Sequence, residues 1–191
     1  MSETVYNLIV NRRSIRRFQK KNIDSGFLKK LVNVARLAPS VANLQPLEFI
    51  IVNDKELCLK IFEIIGWAGY LKDWTPSTEE KPDAFIIILV KATTNTLYMR
   101  DVGLASENII ITAENEGIGS CILLNFKEDM IKEILKIPDG IKVDSVIALG
   151  YKAEHPIVED KKDSVEYWID RNQVLHVPKR RLEDILHINK F

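Results

Sequence analysis

Ala84-Phe85-Ile86-Ile87-Ile88-Leu89-Val90 is the longest purely apolar run in the chain. It is rich in β-branched residues and carries no polar residue at alternate positions. A half-exposed strand would alternate, so the run reads as a strand buried on both faces. Its seven residues fall far short of the roughly 20 that a helix needs to cross a bilayer. The elements around it alternate between helix and strand, which points to a mixed α and β domain.

On the C-terminal side, 97–116 reads as a long helix, apolar enough to be the central one and stopped by Gly117. Segment 118–124 reads as another buried strand, 127–136 as a helix and 143–150 as a further strand. On the N-terminal side, 47–52 reads as a strand. Asp24 is placed to cap a helix over 25–37 whose Phe27, Leu28, Leu31, Val32 and Ala35 share one face, with Pro39 marking its end. Asp54 is placed to cap a second helix running to Ile65, and 3–11 reads as a short amphipathic helix. After His155-Pro156 the chain turns polar. There, 166–170 and 174–178 read as a hairpin about Arg171-Asn172-Gln173, and 181–186 as a short closing helix.

This alternation suggests a doubly wound nucleotide fold, but the glycine fingerprint of that fold is missing. Gly117-Ile118-Gly119 follows a helix and precedes a strand, and Ile122 stands where the third glycine would be. GxxxxGK[ST], GxSxG and HExxH are absent as well.

The 191 residues fit one domain or at most two small ones, and 46% apolar with 28% charged residues is ordinary globular composition. Collagen-like, disordered and disulfide-scaffold classes are excluded. MSETVYNLIV has no basic segment leading into an apolar stretch, so no signal peptide is visible and the cytosol is the expected compartment. Cys58 and Cys121 lie 63 positions apart in apolar surroundings, and neither they nor His155, His176 and His187 show metal-ligand spacing. The formal net charge is zero, yet positions 11–30 hold eight basic residues against one acid, Asp24. Such a patch is a solvated face or an anion site, for nucleic acid or for a phosphorylated small molecule.

Four segments together are similar to the nitroreductase family of FMN-dependent oxidoreductases. They are Asn11-Arg12-Arg13-Ser14-Ile15-Arg16-Arg17-Phe18; Ala38-Pro39-Ser40-Val41-Ala42-Asn43-Leu44-Gln45-Pro46; Asp101-Val102-Gly103-Leu104-Ala105-Ser106-Glu107-Asn108 with Gly117-Ile118-Gly119-Ser120-Cys121; and Ala148-Leu149-Gly150-Tyr151 with Pro178-Lys179-Arg180-Arg181-Leu182. Their order and spacing hold along nearly the whole chain. The resemblance implies a three-layer α/β/α arrangement of α+β class, with a mostly antiparallel central sheet flanked by helices. It implies one domain over 1–191 in which 152–191 is a C-terminal extension exchanged between the subunits of a homodimer.

The resemblance also assigns residues. Arg12 and Ser14 would hold the FMN phosphate, for which a bidentate guanidinium and a hydroxyl are chemically suited. Arg16 would approach the pyrimidine edge of the flavin and stabilise its anionic reduced form. Lys179 and Arg181 would add phosphate contacts. Arg13, Arg17 and Lys20 stand between a supporting electrostatic role and a solvated face. Pro39, Ser40 and Asn43 would come from the other subunit. Leu123, Leu124 and Asn125 would bring main chain to the ring; a small residue is common where Asn125 stands, and Asn tolerates unusual backbone angles better than most. Leu47 replaces an aromatic usual after Gln45-Pro46. Trp67, Tyr70 and Trp74 would wall the substrate pocket, or else staple a turn-rich segment. Asp101 is expected to be structural, because the cofactor carries the reaction.

The implied activity is hydride transfer from NADH or NADPH through FMN N5 to an electron-poor acceptor such as a nitroaromatic, quinone or flavin, with ping-pong kinetics. The alternatives are a low-turnover or specialised flavin protein of the same fold, such as a reductive dehalogenase or a flavin-binding sensor, and a nucleic-acid-binding module using the basic stretch. The latter lacks interleaved aromatics beyond Phe18 and Phe27, so the expectation is a small-molecule acceptor, no nucleic acid and no membrane.

Overall fold

The computed structural model describes residues 4–72, 74–91 and 96–191. The apolar run lies in β2 (Ala84–Lys91), at the interior of a four-stranded sheet of order β1-β2-β4-β3 with β1 (Leu47–Val52), β3 (Ile118–Leu123) and β4 (Ile141–Tyr151). Every pairing in this sheet is antiparallel. The doubly wound alternative therefore fails on strand direction, and the antiparallel arrangement stands.

Residues along β2 alternate between two cores, as the pleat requires. Phe85, Ile87 and Leu89 enter one cluster with Cys58, Ile61, Phe62 and Ile131, from α3 (Lys55–Phe62) and α5 (Glu128–Leu135). Ala84, Ile86, Ile88 and Val90 enter the other with Leu28, Leu31, Ala105 and Ile109, from α2 (Ser25–Ala35) and α4 (Tyr98–Asn115). Helices thus cover both faces of the sheet, giving three layers. The short α1 (Val5–Asn11) packs against α4; Glu3 of the helix expected over 3–11 lies outside the described residues. Cys58 and Cys121 are free and buried, and burial pushes the Cys58 thiol up to about 12. Caps fall where expected: Asp24 Oδ1 accepts from Phe27 N–H at 3.0 Å, and Asp54 Oδ1 accepts from Glu56 and Leu57 N–H, both at 3.0 Å.

The basic stretch after α1 is extended and runs beside the sheet. Ile15 N–H donates to the Ser120 carbonyl at 2.9 Å, Gln19 N–H to the Tyr151 carbonyl at 2.8 Å, and Ala153 N–H to the Arg17 carbonyl at 2.9 Å. Its inward side chains, Ile15 and Phe18, are 2% and 1% exposed. They lie on Gly119 and Gly150, which face each other across β3 and β4. A Cβ on Gly119 would sit 2.7 Å from Ile15 Cγ1, and one on Gly150 would sit 2.6 Å from Phe18 Cδ1.

After β4 the chain forms a three-stranded sheet of order β5-β7-β6, from β5 (Ile157–Asp160), β6 (Trp168–Ile169) and β7 (Leu175–Lys179). The expected hairpin is β6–β7, with Gln173 turning at a φ of 62°. The strand β5, parallel to β7, falls in a stretch read only as polar tail. The closing helix shortens to a 3₁₀ turn, Leu182–Asp184. His176 in β7 stacks on Trp168 with ring centroids 4.0 Å apart. Its Nδ1 is 3.1 Å from Glu159 and its Nε2 is 3.5 Å from Asp170.

Two predictions follow from this packing. Replacing Gly150 by Ala should destabilise the fold by about 1–3 kcal/mol, the usual cost of overpacking, measured by denaturant unfolding; an unchanged midpoint would show that Phe18 can give way. The second concerns acid. Glu159 is held below the usual carboxylate range by the Trp168 indole N–H and then by His176, and Asp170 by the backbone N–H groups of Val174 and Asn172. Lowered carboxyls stabilise fully above their unfolded value, about 4, and lose that contribution as pH falls through their folded values. The tail sheet should therefore loosen below about pH 4, read as the emission of Trp168 against a Trp168→Phe reference.

Candidate functional site

Arg12, Arg13, Ser14 and Arg16 line a cavity of about 220 Å³, closed from the other side by Tyr167, Val177 and Lys179 of the tail sheet and its approach. The two glycines set the position of the first four, by holding Ile15 against the sheet. Among the described residues no carboxylate lines this cavity. Arg12 Nε and Arg13 Nε are buried and find no hydrogen-bond partner among the described residues. Arg13 Nη2 donates to the Val10 carbonyl at 2.8 Å, and its Nη1 reaches the Arg12 carbonyl. Burial, and then the like charge of Arg12, hold the Arg13 pKa below its ordinary value. Glu107 on α4 stands 4.0 Å from Arg12 Nε, at the limit of an ion pair. Crowded, half-desolvated guanidinium groups of one sign favour an anion between them.

Three other members of the basic cluster are engaged elsewhere. Arg17 pairs with Glu80 at 2.6 Å, Lys20 pairs with Glu79, and Lys21 lies 3.6 Å from the centroid of the Tyr151 ring. Arg16 faces the cavity, fixed by three different segments. Its backbone N–H donates to Glu154 Oε1 at 2.5 Å, its Nε donates to the Trp67 carbonyl at 3.0 Å, and its guanidinium lies 4.9 Å from the centroid of Tyr167. Arg181 is not brought to this cavity. It lines a separate hollow with Asp160, Lys161 and Arg180 and pairs with Asp184 at 3.0 Å and Glu183 at 3.2 Å.

The second motif lines a different hollow, of about 150 Å³, with Pro39, Ser40, Gln45, Phe49 and Asp101 on its wall. Three residues of its turn are left-handed: Ala42 at φ 48°, Asn43 at 56° and Gln45 at 49°. For alanine that backbone is costly. Two bonds hold the turn: Val41 N–H donates to the buried Asp101 Oδ1 at 2.9 Å, and Gln45 N–H donates to Ser40 Oγ at 3.1 Å. Asp101 is thus structural, as expected. Asn43 is exposed on the turn.

At the end of β3, Leu123 is buried and Leu124 is 72% exposed. Asn125 keeps a negative φ, so no unusual backbone is asked of it. Its carbonyl accepts from Gly66 N–H at 2.7 Å, and its side chain fills the space beside Gly66, where a Cβ would lie 2.0 Å from Nδ2.

The three aromatics part company. Trp67 is not on an open wall: its ring is 5% exposed and packs in the core 5.3 Å from Phe62, because the bridge between Ile65 and Phe126 carries the chain inward there. Its share in the site is its carbonyl. Trp74 packs partly buried against the same core. Tyr70 is 51% exposed and meets Tyr167 edge-on, with centroids 5.0 Å apart. Tyr167, which lines the cavity, and Glu154, which holds the Arg16 N–H, belong to no motif of the sequence.

The chain matches the Nitroreductase family profile over residues 9–151. It is 32% identical over 174 residues to a protein of Archaeoglobus fulgidus whose name proposes an NADH dehydrogenase/NAD(P)H nitroreductase, covering 86% of this chain and 91% of that one. A solved nitroreductase family protein from Clostridium novyi NT is 30% identical, with a TM-score of 0.66 over 78% of this chain and 87% of that chain. An FMN-dependent nitroreductase from Clostridium difficile R20291 shares the fold at 24% identity and a TM-score of 0.69, over 96% of this chain and 98% of its own. The protein belongs to the nitroreductase family.

Replacing Asp101 by Ala should leave the Val41 N–H without its acceptor and cost about 1–3 kcal/mol. Thermal unfolding measures the loss, and Asp101→Asn, which keeps an acceptor, should recover most of it.

Proposed function

We propose that the protein is an FMN-dependent oxidoreductase that takes reducing equivalents from NADH or NADPH and delivers them to a small electron-poor acceptor, such as a nitroaromatic, a quinone or a flavin. The observation that carries this reading is the cavity of Arg12, Arg13, Ser14, Arg16 and Lys179, which among the described residues is cationic, has no lining carboxylate and holds two guanidinium nitrogens without a hydrogen-bond partner. Those groups fit a phosphate monoester of nearly two negative charges. Family membership and the names of the relatives, among them an NADPH-dependent oxidoreductase of Staphylococcus saprophyticus, support the redox class.

When bound, FMN supplies the hydride-accepting centre, and the chain supplies binding and electrostatics. Arg12, Ser14 and Lys179 would hold the phosphate, and Arg16 would supply a fixed positive charge that favours the reduced, anionic flavin. Leu123, Leu124 and Asn125 offer main chain at the end of β3, with Asn125 braced by Gly66. One site serving reductant and acceptor in turn gives ping-pong kinetics. The compartment that fits this reductant is the cytosol.

Pro39 and Ser40 line a separate hollow within one chain, with Asn43 exposed on the same turn, which supports a homodimer in which a second copy supplies that turn. Tyr6, Leu44, Leu124 and Phe191 are at least 63% exposed, surface that a subunit contact would cover. Since 157–179 folds onto its own chain, the segment proposed to reach the partner narrows to 180–191, where Arg181 sits.

Purified protein should be yellow and release FMN on denaturation. Replacing Arg12 by Ala should weaken FMN binding by about 1.5–3 kcal/mol, the range for a charge-assisted hydrogen bond, measured by flavin fluorescence titration. A colourless protein that cannot be reconstituted would overturn the proposal.

A further inference from the structure

We infer that Tyr167 is a positioning residue for Arg16, and that the tail sheet, rather than the N-terminal motif alone, sets the charge presented to the flavin. The inference rests on the FMN reading above and goes beyond it in assigning a role to a residue outside every motif of the chain.

Arg16 has a long side chain whose free rotamers would average its charge over a wide arc. Two of its three restraints act near the backbone or at Nε: the Glu154 carboxylate on its N–H and the Trp67 carbonyl on Nε. Neither fixes the plane of the guanidinium, because rotation about the Nε–O line remains open. The third restraint removes that freedom. The Tyr167 ring lies 4.9 Å from the guanidinium carbon, within the distance at which a cation is drawn to an aromatic face. Among the described residues no acceptor meets the two Nη groups of Arg16, so both are left to a ligand.

Tyr167 is itself held. Its ring meets Tyr70 edge-on at 5.0 Å, and its hydroxyl oxygen accepts from Tyr70 N–H at 3.4 Å. The next residue, Trp168, opens β6, stacks on His176 and donates from its indole N–H to Glu159 Oε1 at 2.9 Å. The sheet that fixes Trp168 thereby fixes Tyr167. The same sheet carries Lys179 to the cavity, so the second cation and the first cation's support arrive on one body.

The test is a double-mutant cycle on FMN affinity, with the flavin midpoint potential and the melting temperature of the apoprotein as companion readings. Tyr167→Phe keeps the aromatic face and the edge-on contact with Tyr70, losing only the long hydroxyl bond, and should bind FMN closer to the wild type than Tyr167→Leu. Tyr167→Leu should raise the dissociation constant about 2- to 30-fold, the range between an exposed and a desolvated cation–π contact, and should make the flavin harder to reduce. In an Arg16→Ala background, Tyr167→Leu should add nothing, because the residue acts through Arg16. Equal losses in both backgrounds, or a Phe variant as impaired as Leu, would overturn the inference. Should Tyr167→Leu not fold, Tyr167→Met replaces the ring at similar reach and is read against the same outcomes. A wild-type chain that takes up no FMN fails the parent reading; one that binds FMN with a flat Tyr167 series fails this inference alone.

Discussion

The fold and the candidate site meet at a pair of missing side chains. Gly119 and Gly150 face each other across β3 and β4, and the bare backbone between them receives Ile15 and Phe18. Any Cβ there would stand within 3 Å of atoms that are almost fully buried, where close packing leaves little to give. Ile15 and Phe18 are buried while Ser14, Arg16 and Arg17 beside them stay partly exposed, so seating the apolar pair fixes where the polar residues emerge. The hydrophobic fit of two side chains thus decides where the charges point.

That constraint turns a diffuse basic stretch into a sorted one. Arg17 and Lys20 find Glu80 and Glu79, and Lys21 finds an aromatic face. Arg12 and Arg13 are left partly desolvated beside each other. Repulsion of this kind is a cost to the folded chain, tolerable where a bound anion offsets it. The balanced formal charge of the whole sequence conceals this local crowding of Arg12 and Arg13.

What was legible in the sequence had short-range causes. The run around Ile87 declares a strand buried on both faces because it has no polar alternate, and Asp24 and Asp54 declare caps because a carboxylate before a periodic apolar segment has few better uses. Strand direction was not legible, since alternation of strands and helices is common to parallel and antiparallel designs; the antiparallel expectation came from the family resemblance. The strand β5 escaped notice because four residues with two acids pair in parallel with a segment nearly twenty positions on. At the site, Arg12, Ser14, Arg16 and Lys179 were named by motif and share one cavity, whereas Arg181 is claimed by its near neighbours Glu183 and Asp184. Tyr167 was invisible because its contacts, Arg16 and Tyr70, are set only when the tail sheet folds. Trp67 misled in the opposite way: clustering within eight residues suggested a shared wall, but Trp67 points into the core while Tyr70 points out.

The two hollows constrain how the motifs can cooperate. Both are tied to α4: Asp101 anchors the Ser40 turn and Glu107 stands beside Arg12. Six residues along a helix that turns about 100° per residue place these attachments roughly 120° apart, in keeping with Asp101 being 3% exposed and the Glu107 side chain about half exposed at 49%. Neither attachment is hinged. The turn is strained and held by a buried carboxylate, and the arginine segment is keyed into two glycines. In the homodimer proposed above, a rigid second copy would bring its own Ser40 turn to the arginine cavity with no movement required within either chain. The exposed apolar residues of α1 and of the last twelve positions are then the surface on which that copy would rest.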